Sequence, residues 1–139
     1  MRLPVTLQPL SADDFPKLMK LWKAAEAVVI READDEATFR RFLQRNPETN
    51  FAAYAGTRMV GSVLAGHDGW RGYLYHMAVK PDYREKGIAS QLVNVAVDKL
   101  RQQGISKVHC LVKKDNLVGQ QFWEACSFQL RDELLDYSI

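Results

Sequence analysis

Along the first third of the chain the spacing of apolar positions changes twice, and each change predicts a new element. Between Arg2 and Gln8, Leu3, Val5 and Leu7 alternate with polar neighbours, the period of a half-buried strand. From Phe15 the apolar residues recur at steps of three and four (Phe15, Leu18, Met19, Trp22, Ala25), predicting a helix to about Val28. Ser11 stands where an N-cap belongs, and Asp13 and Asp14 complement the dipole of the first turn. Val29 to Asp34 reads as a loop. A shorter helix follows from about Asp35 to Arg45, with Phe39, Phe42 and Leu43 on one face, and Asn46-Pro47 stops it.

The period then drops to two. Phe51–Ala55 and Met59–Ala65 read as strands joined by a tight turn at Gly56-Thr57, and Gly66 to Trp70 makes a second turn before a strand at Gly72–Val79. Ile88, Leu92, Val93, Ala96 and Leu100 mark a long helix over Gly87–Gln103, with Gly104 at its C-terminal cap. Lys107–Val112 is apolar enough to predict a strand buried on both faces. Leu117–Cys126 reads as a last helix, followed by strands at Phe128–Leu130 and Leu134–Ser138. The order β-α-α-β-β-β-α-β-α-β-β, without repeat or linker, predicts a single α/β (α+β) domain over 1–139 with one mixed sheet.

Composition narrows the function classes more than it identifies one. With 139 residues, 47% hydrophobic and 26% charged, the chain suits one soluble globular domain and argues against disorder. Nineteen basic against seventeen acidic residues give a formal charge of +2, too balanced for a nucleic-acid surface. No apolar run would span a bilayer and Met1-Arg2-Leu3-Pro4 does not open a signal peptide, so a cytoplasmic protein is expected. Cys110 and Cys126 are too few for a disulfide framework and read as buried free thiols, with a catalytic thiol as the alternative. His67, His76 and His109 lack metal-ligand spacing, so no metal is expected.

The segment VKPDYREKGIAS, Val79 to Ser90, carries most of the chemistry. It places Lys80, Arg84 and Lys86 just before a helix whose N-terminus already exposes unpaired N–H groups and a partial positive charge. Two readings are open. Pro81-Asp82 can make a turn with solvated cations around it. Alternatively, Gly87 and the small Ala89 let the backbone wrap an anion such as a pyrophosphate. Neither a Gly-Lys-Ser/Thr phosphate loop nor a G-x-G-x-x-G fingerprint is present.

Arg84-Glu85-Lys86-Gly87-Ile88-Ala89 resembles the R/Q-x-x-G-x-G/A signature of the GNAT acetyltransferases, with Met77-Ala78-Val79 similar to the strand before it and Pro81-Asp82-Tyr83 to the usual connection. Asn116, Phe122-Trp123-Glu124 and Phe128 resemble the family's second landmark, an Asn followed by an aromatic-rich helix ending in Gly-Phe. The element order matches from end to end, and the layout is similar to small stand-alone bacterial members such as the ribosomal-protein N-terminal acetyltransferases. The resemblance implies a mostly antiparallel sheet whose strands at 72–79 and 107–112 splay apart, acetyl-CoA as donor and a primary amine as acceptor. By matching position, the backbone of Met77, Ala78 and Val79 would pair with the pantetheine arm. The N–H groups of Arg84, Glu85, Lys86, Gly87, Ile88, Ala89 and Ser90 would hold the pyrophosphate, and Asn116 would reach the pantetheine or its amide.

Met77 N–H is then the candidate to polarise the thioester carbonyl. The acceptor must lose a proton: a lysine amine at pKa about 10.4 is mostly charged at pH 7, whereas an α-amine near 7.7–8.0 is less handicapped. Where the ribosomal-protein enzymes carry a general-base Glu on the strand before Asn116, this chain has Leu111. Where many members use a Tyr as general acid, it has Trp123, which either packs against the thioester or serves as a core aromatic. Strand alternation predicts Tyr73, Tyr75 and Met77 on one face and Leu74 and His76 on the other. The base candidates are a water chain ending at Tyr75 or His76, with Tyr73 a relay or pocket wall and His109 and His67 ranked below. The acids Glu32, Asp34, Asp35 and Glu36 either attract a cationic amine or cap the second helix.

Two rival functions share the same cleft, a non-catalytic acyl-CoA-binding sensor and a nucleotide-binding regulatory domain. An exposed final strand at 134–138 would favour a homodimer. No nucleic-acid or membrane partner is expected.

Overall fold

The computed structural model describes residues 4–25, 28, 30–32 and 34–139. One five-stranded mixed sheet carries the fold, in the order β1 (Thr6–Pro9), β2 (Phe51–Ala55), β3 (Arg58–His67), β4 (Arg71–Val79), β5 (Lys107–Cys110). Neighbouring strands are antiparallel except β4 and β5, which run parallel. The helices are α1 (Phe15–Ala25), α2 (Glu36–Arg45), α3 (Ile88–Gln102) and α4 (Leu117–Ala125).

The helical stripes dock on opposite faces of the sheet. Leu18, Leu21, Trp22 and Ala25 of α1 and Phe39 of α2 pack with Ala52, Leu64 and Ala78 on one side. Leu92, Val93, Ala96 and Leu100 of α3 pack with Phe51, Val60, Val63 and Leu74 on the other, each fully buried leucine contributing about 1.5–3 kcal/mol. Two strand glycines let α3 lie close. A Cβ on Gly61 would sit 3.1 Å from Leu92 Cδ1, and one on Gly72 would sit 3.1 Å from Leu100 Cδ1. That close seat fixes where the α3 N-terminus emerges, beside the end of β4.

Most expected elements are present, with changes at their ends. Arg2 and Leu3 of the first strand lie outside the described residues. α1 begins after a 3-10 turn at Ala12–Asp14, with the Ser11 N–H donating to Asp14 Oδ2 at 2.9 Å, and Val28 lies in a bend outside the helix. The expected turn at Gly66–Trp70 shrinks, because β3 continues through His67 and Asp68 Oδ1 accepts from the N–H groups of both Trp70 and Arg71 at 2.8 Å.

Two expectations fail. The strand expected over Lys107–Val112 stops at Cys110; Val108, His109 and Cys110 are only half-buried, and Leu111 is 73% exposed. β5 is an edge strand, so only one of its flanks has a neighbour. The two strands expected at Phe128–Leu130 and Leu134–Ser138 do not form among the described residues. Adjacent Leu134 and Leu135 give no single apolar face, and a turn from Leu134 N–H to Arg131 O with an Arg131–Glu133 ion pair bends the segment. The sheet edges are therefore β1 and β5, and the exposed final strand expected to favour a dimer is absent.

Candidate active site

The loop after β4 pairs the amides of Lys80, Tyr83 and Arg84 with backbone carbonyls, and the pairing stops there. Lys80 N–H donates to Val60 O at 2.9 Å, Tyr83 N–H to Lys80 O at 2.9 Å, and Arg84 N–H to Pro81 O at 3.3 Å. Glu85 (φ 61) and Gly87 (φ 83) then take left-handed conformations on either side of Lys86. The first bond within α3 runs from Gln91 N–H to Gly87 O at 3.2 Å. Among the described residues, no backbone or side-chain acceptor pairs with the N–H groups of Glu85 through Ser90. A run of unpaired amides at a helix start, turned by alternating backbone handedness, has the backbone geometry of a nest.

Arg84 departs from expectation twice. Its N–H is spent on Pro81, so the nest starts at Glu85. Its guanidinium donates to Val79 O at 3.2 Å and to Ala25 O at 2.6 Å, tying the loop to the C-terminal end of α1 rather than adding charge to the nest. Lys80 and Lys86 form no ion pair among the described residues and remain available to an anion.

Beside the nest the sheet opens. β5 pairs with β4 only from Arg71↔Lys107 to Leu74↔Cys110, so β4 from Tyr75 to Val79 has no strand on that flank. At the parting point β4 carries a bulge: Leu64 faces Tyr75 and Ser62 faces Ala78, leaving Val63 opposite both His76 and Met77. His76 has φ 48, a strained value for a side chain of its size. A buried relay holds it there, Trp22 Nε1–H donating to Ser62 Oγ and Ser62 Oγ–H to His76 O, each at 3.0 Å.

The extra residue resets the alternation. Tyr75 and His76 both reach the α1–α2 side, while Met77 packs in the α3-side cluster with Leu74. The expected grouping of Tyr73, Tyr75 and Met77 against Leu74 and His76 is therefore overturned. Tyr75 and His76 line a cavity of about 220 Å³ between the sheet and α1–α2, walled by Phe15, Trp22, Phe39 and Phe42. A larger cavity of about 300 Å³, between Pro9–Ala12 and the end of α2, shares no residue with β4 or the nest.

The Acetyltransferase (GNAT) family matches the chain over residues 15–128. The chain belongs to the GNAT acetyltransferase family. An acetyltransferase of Sodalis glossinidius is 32% identical over 124 residues, covering 88% of this chain and 86% of the relative. Among solved structures, the PaiA N-acetyltransferase of Thermoplasma acidophilum, in complex with coenzyme A, superposes with a TM-score of 0.79 at 20% identity, covering 94% of this chain and 92% of that one. The ribosomal-protein-S18-alanine N-acetyltransferase of Escherichia coli superposes at 0.72 with 21% identity, covering 88% and 76%. The fold is that of these GNAT enzymes, and acetyl-CoA is the acetyl donor.

Within this GNAT domain the remaining candidates separate. Tyr75 is partly exposed, edge-on to Phe42 at 5.7 Å; burial, then neighbouring Tyr73 and Asp68, push its phenol above its ordinary value. It stays protonated at neutral pH, a donor rather than a base. The His76 ring packs tilted, at 51°, against Trp22 with centroids 4.4 Å apart, and its Nε2 lies 3.2 Å from Asp34 Oδ1, within ion-pair distance but without hydrogen-bond alignment, so that buried nitrogen has no aligned partner. His67 is occupied by Gln103 and the Gly69 N–H. His109 lies against Arg71 and stacks on Tyr73 at 5.1 Å; burial and the Arg71 charge hold its pKa below the usual value.

Asn116 Oδ1 accepts from Gly119 N–H at 2.9 Å as the N-cap of α4, and its Nδ2 makes no hydrogen bond among the described residues. Trp123 sits edge-on between Phe122 at 5.1 Å and Phe128 at 4.9 Å, packed on the α3-side cluster. Leu111 is exposed beyond the end of β5. Of the acids before α2, Asp35 caps it by accepting Thr38 N–H at 2.8 Å, a bond that lowers its pKa, while Asp34 accepts Arg31 N–H through Oδ2 and turns Oδ1 toward His76.

Sequence reading placed Trp22 in the core stripe and passed over Ser62. The one available signal was a serine inside an otherwise apolar strand, with no indication of its partners.

Proposed function

We propose that the protein transfers the acetyl group of cytoplasmic acetyl-CoA to a primary amine by direct attack. The observation that carries this reading is adjacency: unpaired amides from Glu85 to Ser90 end beside a β4 flank without a partner strand, and that flank begins at a bulge opening on an apolar cavity.

Coenzyme A supplies the acetyl group as an activated thioester. The amides of Glu85–Ser90, with Lys80 and Lys86, hold its diphosphate. The free flank of β4 at Met77 and Val79 aligns the pantetheine arm as an added strand, and Asn116 Nδ2 donates to it. The Met77 N–H faces the acetyl carbonyl and favours the charge that develops there. On the cavity side, the incoming ammonium loses a proton to water beside the His76 ring; the neutral amine attacks the thioester carbon, the C–S bond breaks, and the second proton of the nitrogen leaves with coenzyme A as its thiol. Protonated Tyr75 donates a hydrogen bond and positions the acceptor. Bringing both substrates to one bulge supplies much of the rate.

Thiol release from acetyl-CoA is the test, run over α-amines, peptides, polyamines and lysine. Turnover on at least one amine, with mass spectrometry showing one added acetyl on nitrogen, supports the reading. Tight coenzyme binding with no turnover on any amine would identify a sensor instead.

A further inference from the structure

The cavity at the bulge has a composition that selects among amines. We propose that the acceptor is a primary amine on an aromatic or similarly bulky apolar frame, with the frame between α1, α2 and β4 and the nitrogen against the Asp34 carboxylate, beside its contact with His76. The proposal rests on the acetyl-transfer reading and names the substrate class for it.

Three observations converge. First, the walls are apolar and aromatic: Phe15, Trp22 and Phe39 on the helix side, Leu64 and the Tyr75 ring on the sheet side. At about 220 Å³ the space lies below the roughly 300–1,000 Å³ of drug-sized pockets, which suits a single ring or branched chain. Second, its lining carries acids and no lysine or arginine. Asp35 caps α2 through Oδ1, whereas Asp34 Oδ1 lies beside His76 on the cavity lining. One free carboxylate matches one ammonium. Third, His76 Nε2 is buried against the same oxygen without an aligned partner. That contact fixes Asp34 Oδ1 at the cavity wall, where an ammonium approaching from the open side donates to the carboxylate.

The same features disfavour acceptors bearing several charges or hydroxyls. Each extra polar group carried into an apolar wall loses its water without a replacement, at a cost that leaves such amines at least tenfold weaker. The frame can come from a free arylalkylamine or from the first residue of a peptide. Both present the same chemistry to this cavity.

The test is calorimetric binding of 2-phenylethylamine, a Phe-initiated tripeptide and spermidine to the full chain, with and without coenzyme A, alongside thiol-release kinetics. At least one of the two apolar amines is expected to bind tenfold or more tighter than spermidine, and their ratio tells the free amine from the peptide. Asp34→Asn and the cavity-filling Thr38→Phe should each weaken that binding at least tenfold, and Asp98→Asn, on the exposed side of α3, should leave it unchanged. Equal or tighter binding of spermidine, or no binding of either apolar amine, overturns the proposal even if acetylation occurs. Binding of an apolar amine without turnover on any substrate leaves the cavity assignment standing and removes the acetyl-transfer reading.

Discussion

Trp22 Nε1 and Ser62 Oγ meet at 3.0 Å in the buried interior, forty residues apart in sequence, and through that hydroxyl a helix side chain supports the backbone of His76. The contact joins α1 to the bulge in β4, so the shape of the bulge depends on α1 being docked. Ser62→Ala would leave the Trp22 N–H and the His76 carbonyl unpaired, each costing about 1–3 kcal/mol. The melting temperature should fall by about 6 °C or more, at roughly 3–5 °C per kcal/mol for a domain of this size. Activity should fall further than coenzyme affinity, because the bulge lies on the acceptor side. A variant with wild-type Tm and kcat would show that the relay holds nothing.

Gly87→Asp introduces a negative charge and a side chain at φ 83, beside the unpaired amides of the nest. Coenzyme A binding should drop at least a hundredfold, about 2.7 kcal/mol or more, while the circular dichroism spectrum stays native. Unchanged affinity in calorimetry would exclude the nest as the diphosphate site.

Arg84 separates a structural role from an electrostatic one. Its guanidinium serves two backbone carbonyls, Val79 O and Ala25 O. Arg84→Ala should therefore cost stability, about 1–3 kcal/mol, with a smaller change in coenzyme affinity than Gly87→Asp produces. Affinity loss without any drop in Tm would return the guanidinium to the phosphate.

Cys110 and Cys126 are free thiols whose pKa values burial raises, that of Cys110 to about 12. The folded state therefore keeps protons that the unfolded state releases above about pH 8.5, so this contribution to stability is present below that pH and is lost as pH rises toward 12. In native protein at pH 8, alkylation of Cys110 should be slow, and it should become fast in denaturant. Rapid native labelling would contradict the burial.

Ser127 ends α4 in a left-handed conformation, φ 70, with Ser127 N–H donating to Glu124 O and Phe128 N–H to Trp123 O, both at 2.9 Å. At this position the family landmark carries Gly. Ser127→Gly should raise stability by about 0.5–1 kcal/mol, since a left-handed L-residue costs roughly 1–2 kcal/mol and glycine returns part of that as entropy. A lower melting temperature would show that the serine side chain contributes more than its strain.

Elements whose signals are local can be read directly along the chain. The stripes of α1 and α3 announce themselves at helical spacing, Asn46-Pro47 stops α2, and Gly104 ends α3. These depend on residues a few positions apart, whose geometry is set by backbone sterics and short-range hydrogen bonds. Tertiary structure decided what depends on partners distant in the chain. Val63 opposite both His76 and Met77 is a matter of pairing with β3, and that one extra residue puts His76 beside Tyr75 on the α1–α2 side and Met77 on the α3 side. The use of Arg84 was decided by the end of α1, and the end of β5 by its having a neighbour on only one flank. Pairing partners, burial and the spending of a side chain on one carbonyl rather than another are set by packing energies summed over the whole fold, which no local pattern carries.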